Sequence, residues 1–326
     1  MALFDGQVEQ DNRSAMRVVV LRYCNPAQPS SDLEARIAPA AGSNLFSLRR
    51  GNIELLHQPE QLGLPALHYG FPILFPTPNR VKDSRFTFKG RTFQFLPNER
   101  SHFIHGLVHS AQWEFADPVV RENSASVQTF LNWTPEREDF SRFPLVHRLE
   151  MTFSLESDGI RLTYTVINHD QSPLPFGIGF HPYFQILGDR SETFLEVPAQ
   201  AVMESVGLLP TGRLNKLGGS LYDLREPVSL ETLNLDDVYS GMVSERPASY
   251  ESRHARLRVW LKASAEFTHM VVYTPPGKSF FCMENQTCST DAHNLFSRGL
   301  FEEAHLLIAS PTQSLSGWVH VRIEDR

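Results

Sequence analysis

The sequence has few cysteines, no excess of positive charge and no long hydrophobic run. Only three of its 326 residues are cysteine, which is too few for a disulfide framework and favours a reducing compartment. Acidic residues outnumber basic ones by 37 to 30, and the resulting net charge of -7 argues against general nucleic-acid binding. No segment approaches the length of a membrane span, and residues 1–12 lack the apolar core of a signal peptide. We therefore expect a soluble, cytoplasmic protein without membrane or nucleic-acid partners.

Aromatic residues and proline, in contrast, are plentiful. The chain contains 23 phenylalanines and 22 prolines, a composition typical of short strands joined by frequent turns. The clearest hairpin lies at residues 85–95, where phenylalanines alternate on both sides of the turn Lys89-Gly90. Apolar residues with the spacing of strands predict further strands at residues 16–23, 127–133, 148–155, 161–168, 194–198, 256–262, 270–273 and 318–323, and two more within residues 33–50.

Helical signals are scarce, and only residues 62–68 and 291–301 are weak helix candidates. The chain has no internal repeat, no low-complexity tract and no sharp change in composition that would mark a linker. These patterns predict an all-β protein, a large antiparallel β-sandwich with few short helices. We expect a single domain over residues 1–326, with residues 1–15 as a flexible N-terminal extension.

A carboxylate follows a hydrophobic run near the C-terminal end of the sequence. Residues 280–287 read Phe-Phe-Cys-Met-Glu-Asn-Gln-Thr, which is typical of a strand entering a core with Glu284 at its end. A buried carboxylate is costly unless it is paired or has a chemical task. Glu284 is therefore a candidate functional residue, and an edge-strand glutamate facing solvent is the alternative.

Two further polar clusters are candidates for binding hydroxyl groups. The rigid turn at residues 76–78 presents Asn79 and Arg80, whose planar guanidinium suits hydroxyl or carboxylate partners. Asp236 and Asp237 form an acidic pair between apolar residues, and either carboxylate is suited to a hydroxyl-rich ligand. An exposed arginine and a solvated turn are the respective alternatives.

Histidines stand beside glycine and aromatic residues in two segments. In residues 102–109, the spacing of the histidines resembles a metal-binding pattern, but no cysteine or carboxylate partner completes a ligand set, so we expect no metal there. Gly106 instead favours close approach of a ligand to His105. In residues 176–184, His181 lies among glycines and aromatic rings, an environment suited to a general acid, with rings beside it that can stack on a sugar. A core histidine bonded to a backbone carbonyl is the alternative.

In this order, the clusters resemble the aldose 1-epimerase (galactose mutarotase) family. The resemblance covers most of the chain, from about residue 40 to the strand at residues 318–321, and its most specific parts are the His-Pro-Tyr-Phe and Glu-x-Gln-Thr elements. The matching residues are Asn79-Arg80-Val81, Gly90, Asn98, His105-Gly106, Trp113, His181-Pro182-Tyr183-Phe184, Leu235-Asp236 and Glu284-Asn285-Gln286-Thr287.

The resemblance implies a β-supersandwich with an open sugar-binding cleft and a mutarotase reaction. It implies Glu284 as the general base and His181 as the general acid, with a small-molecule sugar as the partner. Arg80, His105, Asp236 and Asn79 are then the substrate-binding residues, with Asp236 preferred to Asp237. No metal and no other cofactor is implied, and the oligomeric state is left open.

The sequence departs from the family pattern around the expected sugar rather than at the acid–base pair. Leu107 replaces a second glycine, Gln185 replaces an asparagine, Asn285 replaces a proline, and Asp237 stands where a histidine often occurs. These departures leave the sugar open. A hexose-6-phosphate mutarotase is one alternative, which would need further cations such as Lys82 or Arg85 at the cleft. A non-catalytic carbohydrate-binding or sugar-sensing protein is another.

Overall fold

The computed structural model describes residues 3–326, so the first two residues of the expected N-terminal extension lie outside the described range. The described chain contains the strands β1 (Leu3–Gln10), β2 (Arg17–Cys24), β3 (Leu33–Ala38), β4 (Asn44–Arg50), β5 (Ile53–Glu54), β6 (Ile73–Leu74), β7 (Arg80–Val81), β8 (Arg85–Phe88), β9 (Arg91–Gln94), β10 (Phe103–Ile104), β11 (Glu114–Phe115), β12 (Val119–Arg121), β13 (Ser124–Trp133), β14 (His147–Glu156), β15 (Gly159–Asn168), β16 (Leu174–Phe176), β17 (Gly179–Phe180), β18 (Tyr183–Gln185), β19 (Thr193–Glu196), β20 (Ala201–Val206), β21 (Leu209–Lys216), β22 (Val228–Ser229), β23 (Asp236–Ser240), β24 (Ala248–Ser252), β25 (Leu257–Ala263), β26 (His269–Tyr273), β27 (Phe280–Gln286), β28 (Leu307–Ala309) and β29 (Ser314–Asp325). The α-helices are α1 (Ala292–Ser297) and α2 (Phe301–Ala304), and single 3₁₀ turns occur at Pro29–Ser31, Lys82–Ser84, Val108–Ser110, Phe140–Arg142, Arg190–Glu192 and Leu230–Thr232.

Three antiparallel sheets account for most of these strands and confirm the predicted all-β sandwich. A ten-stranded sheet has the order β11-β13-β14-β15-β29-β25-β24-β19-β22, with β12 also paired to β13. An eight-stranded sheet has the order β21-β20-β23-β26-β27-β17-β6, with β18 also paired to β27. The third sheet runs from β1 to β5 in chain order, and β1 pairs with β2 from Leu3 to Gln10.

The helix predictions were less accurate than the strand predictions. Residues 62–68 form an irregular loop, so the helix predicted there is wrong; Gly63 and Pro65 interrupt the segment. Residues 291–301 contain α1 and the first residue of α2, separated by a turn at Gly299, whose φ of 83° lies in the left-handed region. Within residues 3–326 no helix is long and apolar enough to cross a membrane.

The alternation predicted from the sequence forms the hydrophobic core. In β14 every second residue from His147 to Leu155 is buried, and Met151 lies opposite the buried Tyr164 of β15. A single cluster of buried apolar residues extends from Val19 near one end of the chain to Ile323 near the other. Burial of this much apolar surface is the main source of stability for a sandwich of this kind.

Strand β27 positions the polar residues of the eight-stranded sheet. It lies inside that sheet, between β26 on one side and β17 and β18 on the other. Phe281 and Met283 belong to the hydrophobic core. Because successive side chains of a strand point to opposite faces, Glu284 and Gln286 project from the other face of the sheet.

Candidate active site

A cleft with a volume of about 850 Å³ lies over the polar face of β27. Its walls come from β7, β10, β18, β23 and β27 and from the loops that join them. The six residues predicted as the site come together here, although they are spread over more than two hundred positions of the sequence: Asn79, Arg80, His105, His181, Asp236 and Glu284 all line the cleft.

His181 and Glu284 form a close buried pair. His181 Nε2 lies 3.3 Å from Glu284 Oε1, and the two side chains are only 5% and 3% exposed. Antiparallel pairing produces this contact, because Gly179 lies opposite Gln286 and Tyr183 lies opposite Cys282, which brackets His181 against Glu284. The alternatives of a solvent-facing glutamate and a histidine capped by a backbone carbonyl do not describe these two residues.

Burial opposes charge on both members of the pair. Desolvation lowers the pKa of the His181 imidazole, and it raises the pKa of the Glu284 carboxyl well above its ordinary value. The nearby carboxylate of Asp236 raises the Glu284 pKa further. Both shifts favour the uncharged pair, a carboxylic acid beside a neutral imidazole, which holds one proton.

Two residues of the recognised motifs support this pair in ways that the sequence did not indicate. Gln286 Nε2 donates a hydrogen bond of 3.0 Å to Glu284 Oε2, which lowers the pKa of that carboxyl. The ring of Tyr183 stacks on His181 with 4.5 Å between ring centroids and 7° between planes, and its hydroxyl lies 3.4 Å from His181 Nε2. We expected the rings near His181 to stack on a sugar; Tyr183 lines the cleft but stacks on the imidazole itself.

Arg80 is held rigidly by acidic and amide partners. Glu99 accepts two hydrogen bonds, 2.6 Å from Arg80 Nε and 2.8 Å from its Nη2, and Asn79 Oδ1 accepts another from Nη1 at 3.2 Å. Asp236 Oδ2 is 3.7 Å from Arg80 Nη2. Glu99 was missed by the sequence analysis, because nothing in its surroundings connects it with Arg80 nineteen residues earlier. Asn79 contacts Arg80 as well as lining the cleft.

His105 is packed edge-on against His181 at the bottom of the cleft. The ring centroids are 5.1 Å apart and the planes meet at 73°. Burial, and then the neighbouring His181, hold the pKa of His105 well below its ordinary value. Its Nδ1 is buried and has no hydrogen-bond partner within residues 3–326, and the residue itself lines the cleft.

Gly106 has a different purpose from the one we predicted. Its φ is 71°, and a Cβ atom at this position would lie 2.2 Å from the carbonyl oxygen of Phe75. The next residue, Leu107, donates a backbone hydrogen bond of 2.7 Å to that same oxygen. The close approach that glycine permits is therefore to the backbone of Phe75, and it fixes the loop that carries His105.

The acidic pair on β23 is divided between two environments. Asp236 lines the cleft, whereas Asp237 is not among its lining residues. Burial is the main reason that the pKa of Asp236 is raised, and Arg80 partly offsets the effect. The preference for Asp236 over Asp237 as the residue facing a ligand agrees with this placement.

The cations around the cleft differ from those considered in the sequence. Lys82 and Arg85 do not line it, but Arg142 and Lys278 do. Neither Arg142 nor Lys278 forms an ion pair with any residue in the described part of the chain. Arg142 lies far from the recognised motifs, and Lys278 lies just before the segment at residues 280–287, but neither belongs to a motif that singles it out.

Comparison with solved structures defines the class of protein. The fold superposes on a galactose mutarotase-like protein from Clostridium acetobutylicum over 99% of both chains, with a TM-score of 0.84 and 23% identity. It also matches a galactose 1-epimerase from Lactobacillus acidophilus over 100% of this chain and 99% of that one, with a TM-score of 0.75 and 15% identity. The fold is therefore that of the galactose mutarotase-like β-sandwich proteins.

Sequence comparison gives the family. A sequence model described as aldose 1-epimerase matches residues 33–306, and the chain belongs to this family. The uncharacterized protein YphB of Escherichia coli is 22% identical over 289 residues, which are 84% of this chain and 90% of that protein. The galactose mutarotase of Mus musculus is 24% identical over 209 residues, 62% of this chain and 59% of that enzyme.

Proposed function

We propose that the protein is an aldose 1-epimerase that interconverts the α and β anomers of a hexose or a related sugar. The observation that carries this proposal is the buried contact of 3.3 Å between His181 Nε2 and Glu284 Oε1 in the cleft. Mutarotation needs one group that removes a proton and another that supplies one, both within reach of the same sugar. Membership of the aldose 1-epimerase family supports the same reaction.

The reaction begins when Glu284 accepts the proton of the anomeric hydroxyl while His181 donates a proton to the ring oxygen. The bond between C1 and the ring oxygen breaks, and the sugar opens to an aldehyde with a hydroxyl at C5. Rotation about the C1–C2 bond presents the other face of the aldehyde. On ring closure Glu284 returns its proton to the aldehyde oxygen, which becomes the new anomeric hydroxyl, and His181 takes back the proton of the C5 hydroxyl.

The proton inventory of the pair suits this cycle. Ring opening uses the pair as carboxylate and imidazolium, which forms from the uncharged pair when one proton passes from Glu284 to His181 across their contact of 3.3 Å. Ring opening returns the pair to carboxylic acid and neutral imidazole in the aldehyde complex. The pair has the same net charge in both states, so the reaction places no additional net charge in a cleft where burial disfavours charged groups. General acid–base catalysis of this kind contributes about 10²–10⁴-fold for a positioned group.

The remaining polar residues are assigned to binding the sugar hydroxyls. Arg80, already oriented by Glu99, and the carboxylate of Asp236 present donors and acceptors 3.7 Å apart. His105 lines the cleft beside His181 and is assigned to the same task. Asn79 contributes chiefly by orienting Arg80, to which it is hydrogen bonded.

The test is the rate of optical rotation change after α-glucose or α-galactose is dissolved with the protein. We expect Glu284→Gln to reduce the catalysed rate by about 10²–10⁴-fold while sugar binding, followed by NMR titration, is retained. Asp237→Asn is the matched control, because it changes a neighbouring acid outside the cleft. No acceleration by the wild-type protein across a panel of sugars would refute an epimerase. Tight sugar binding without acceleration would identify a sugar-binding protein instead.

A phosphorylated sugar is a second candidate substrate, and the observation in its favour is the pair of cations Arg142 and Lys278 on the cleft wall. Arg80 has its charge matched by Glu99 and Asp236, so it is poorly placed to hold a phosphate as well. Rates on glucose and glucose 6-phosphate distinguish the two substrates. If phosphate is recognised, Arg142→Gln or Lys278→Gln raises KM for glucose 6-phosphate and leaves KM for glucose unchanged. If the ratio of the rates on the two sugars is the same in the wild type and in both variants, the free sugar is favoured.

A further inference from the structure

Outside the cleft, three potential metal ligands converge on the surface of the ten-stranded sheet. Glu156, Asp158 and His320 each present one ligand atom, and these three atoms lie within 4.8 Å of one another. His320 Nε2 is 3.6 Å from Asp158 Oδ1 and 4.0 Å from Glu156 Oε2. None of the three residues lines the cleft.

The backbone holds these positions together. Glu156 ends β14, Asp158 lies in the turn that follows, and His320 lies in β29, which pairs with β15. The carbonyl oxygen of Asp158 accepts a backbone hydrogen bond of 2.7 Å from Ile323. A Cβ atom on Gly159 would lie 2.0 Å from the carbonyl oxygen of Val321, so the turn is pressed directly against β29.

His320 is buried, and its Nε2 has no hydrogen-bond partner in the described chain. The side chain is 10% exposed, although it stands between two long polar residues of the outer face, Arg161 on β15 and Lys262 on β25. Its Nε2 has no hydrogen-bond partner in the described chain and is directed at the two carboxylates. A buried polar atom without a partner requires an explanation, and an ion bound at that atom supplies one.

Each of the two carboxylates has one oxygen paired with an arginine and one oxygen that faces His320. Arg322 Nε lies 3.2 Å from Asp158 Oδ2, and Arg161 Nε lies 3.4 Å from Glu156 Oε1. The oxygens that face His320 are the other two, Asp158 Oδ1 and Glu156 Oε2. This is the arrangement in which outer partners orient ligating carboxylates and fix the oxygen that binds.

We propose that Glu156, Asp158 and His320 bind a divalent transition-metal ion of the Zn²⁺ class. Bonds of about 2.0–2.2 Å to one imidazole nitrogen and two carboxylate oxygens are typical of zinc, and water completes its fourth position. Ligand atoms around a tetrahedral ion of that size lie about 3.3–3.5 Å apart. The distances from His320 Nε2 to the two carboxylates, 3.6 Å and 4.0 Å, are close to this spacing, and all three ligand atoms, which lie within 4.8 Å of one another, must move closer together as the ion binds. Mg²⁺ and Ca²⁺ prefer sites made of oxygen alone and fit a histidine poorly.

The ion joins the β14–β15 turn to β29, so its effect is on stability rather than on the sugar reaction. Binding to the folded state alone stabilises it by an amount that grows with the logarithm of the ratio of ion concentration to Kd, and so raises the melting temperature. The alternative is that His320 and the two carboxylates interact directly with one another without any metal.

The experiment titrates the metal-free full-length protein with Zn²⁺ alone at pH 7.5, by calorimetry and by equilibrium dialysis. We expect the wild type to bind one equivalent more than His320→Gln, because histidines in the cleft can also take up zinc and must be subtracted. Zn²⁺ should raise Tm in the wild type, and this rise should be smaller in the variant. Glu150→Gln is the matched control, since this carboxylate of β14 pairs with Arg148 and lies outside the cluster.

Glu156→Gln combined with Asp158→Asn serves as a second variant if His320→Gln does not fold. Equal zinc stoichiometry in the wild type and in the variants would overturn the proposal. A loss of Tm that is the same with zinc and with chelator would also overturn it, because it would mean that the residues form only an ion pair. The outcome is independent of any epimerase activity, which is measured separately in each variant.

Discussion

At the scale of single residues, the charge state of Glu284 is set by neighbours that act in opposite directions. Burial and then Asp236 raise its pKa, whereas the hydrogen bond from Gln286 and the charge of Arg80 lower it. A general base must be ionised to act, so the acid side of the pH–rate profile reports this balance. The balance can be shifted both ways by substitution.

Replacing Gln286 by Met removes the donor to Glu284 Oε2 at nearly constant size. A hydrogen bond to a charged group contributes about 1.5–3 kcal/mol to the stability of the charged form. Because the ionised form loses this stabilisation, the pKa of Glu284 rises and the acid limb of kcat/KM moves to higher pH. Gln185→Met is the control, since Gln185 contacts His57 rather than the acid–base pair. If the acid limb of kcat/KM stays at the same pH in Gln286→Met, Gln286 does not lower the pKa of Glu284.

Replacing Asp236 by Asn should move the same limb in the opposite direction. The substitution removes a negative charge that raises the Glu284 pKa, so the base becomes ionised at lower pH. KM should rise as well, since Asp236 is assigned to sugar binding. Asp237→Asn should leave both quantities unchanged. A limb that moves to higher pH in Asp236→Asn would contradict the electrostatic account.

Part of this site was visible in the sequence. Glu284 and His181 stood out because a carboxylate and an imidazole beside apolar residues are costly without a purpose, and the family resemblance supplied their roles. Glu99 and Arg142 were not recognisable, because their importance depends on contacts between distant segments. The hydrogen bond from Gln286 depends on which rotamer the packing selects, which a sequence pattern does not encode.

At the scale of elements, the loop from His105 to Leu107 depends on its contact with Phe75. Gly106 combines a left-handed backbone with the absence of space for a side chain. Gly90, in the β8–β9 hairpin, has a similar φ of 79°, but a Cβ atom there would meet nothing within 4 Å. Comparing alanine substitutions at the two positions therefore distinguishes the loss of stability caused by steric contact from that caused by backbone strain.

We expect Gly106→Ala to lower the free energy of unfolding by about 2–4 kcal/mol, because strain and collision with Phe75 add together. Gly90→Ala should cost only about 1 kcal/mol, from strain alone. Denaturant unfolding measures both values. If both variants lose the same free energy of unfolding, the loop moves away from Phe75 without a loss of stability, and the steric contact makes no contribution.

Strands were easier to predict than loops for a physical reason. A strand that buries one face repeats every two residues, so β8, β9, β14 and β15 were recognisable from local pattern alone. The loop at residues 62–68 has apolar residues without a regular period, and only tertiary packing determines its path. The order of the strands in the sheets depends on pairings between distant segments, such as β15 with β29.

At the scale of the whole molecule, stability should depend on pH through buried histidines away from the cleft. Burial lowers the pKa of His147 to about 4, and its Nδ1 donates a hydrogen bond of 2.7 Å to the carbonyl of Leu145. The unfolded chain binds a proton at this histidine near pH 6.5, whereas the folded protein does so only near pH 4. Protonation therefore favours the unfolded state as pH falls through this window.

As pH falls from 6.5 to 4, the free energy of unfolding of the wild type should decrease relative to that of His147→Gln by about 1.4 kcal/mol for each pH unit. The difference between the two proteins, measured by urea unfolding at several pH values, removes the contributions of all other groups. His254→Gln tests the loss of an exposed imidazole instead. A constant difference between wild type and His147→Gln across this window would rule out the proposed linkage.

Strand β29 has a consequence for biosynthesis. It lies between β15 and β25, so both of these strands leave the ribosome before the segment that joins them. Until residues 314–325 are made, each has an open edge of unpaired backbone groups, which invites pairing with other chains. The ten-stranded sheet is therefore completed after synthesis of its middle strand rather than progressively from one side, and the open edges of β15 and β25 are exposed during that interval.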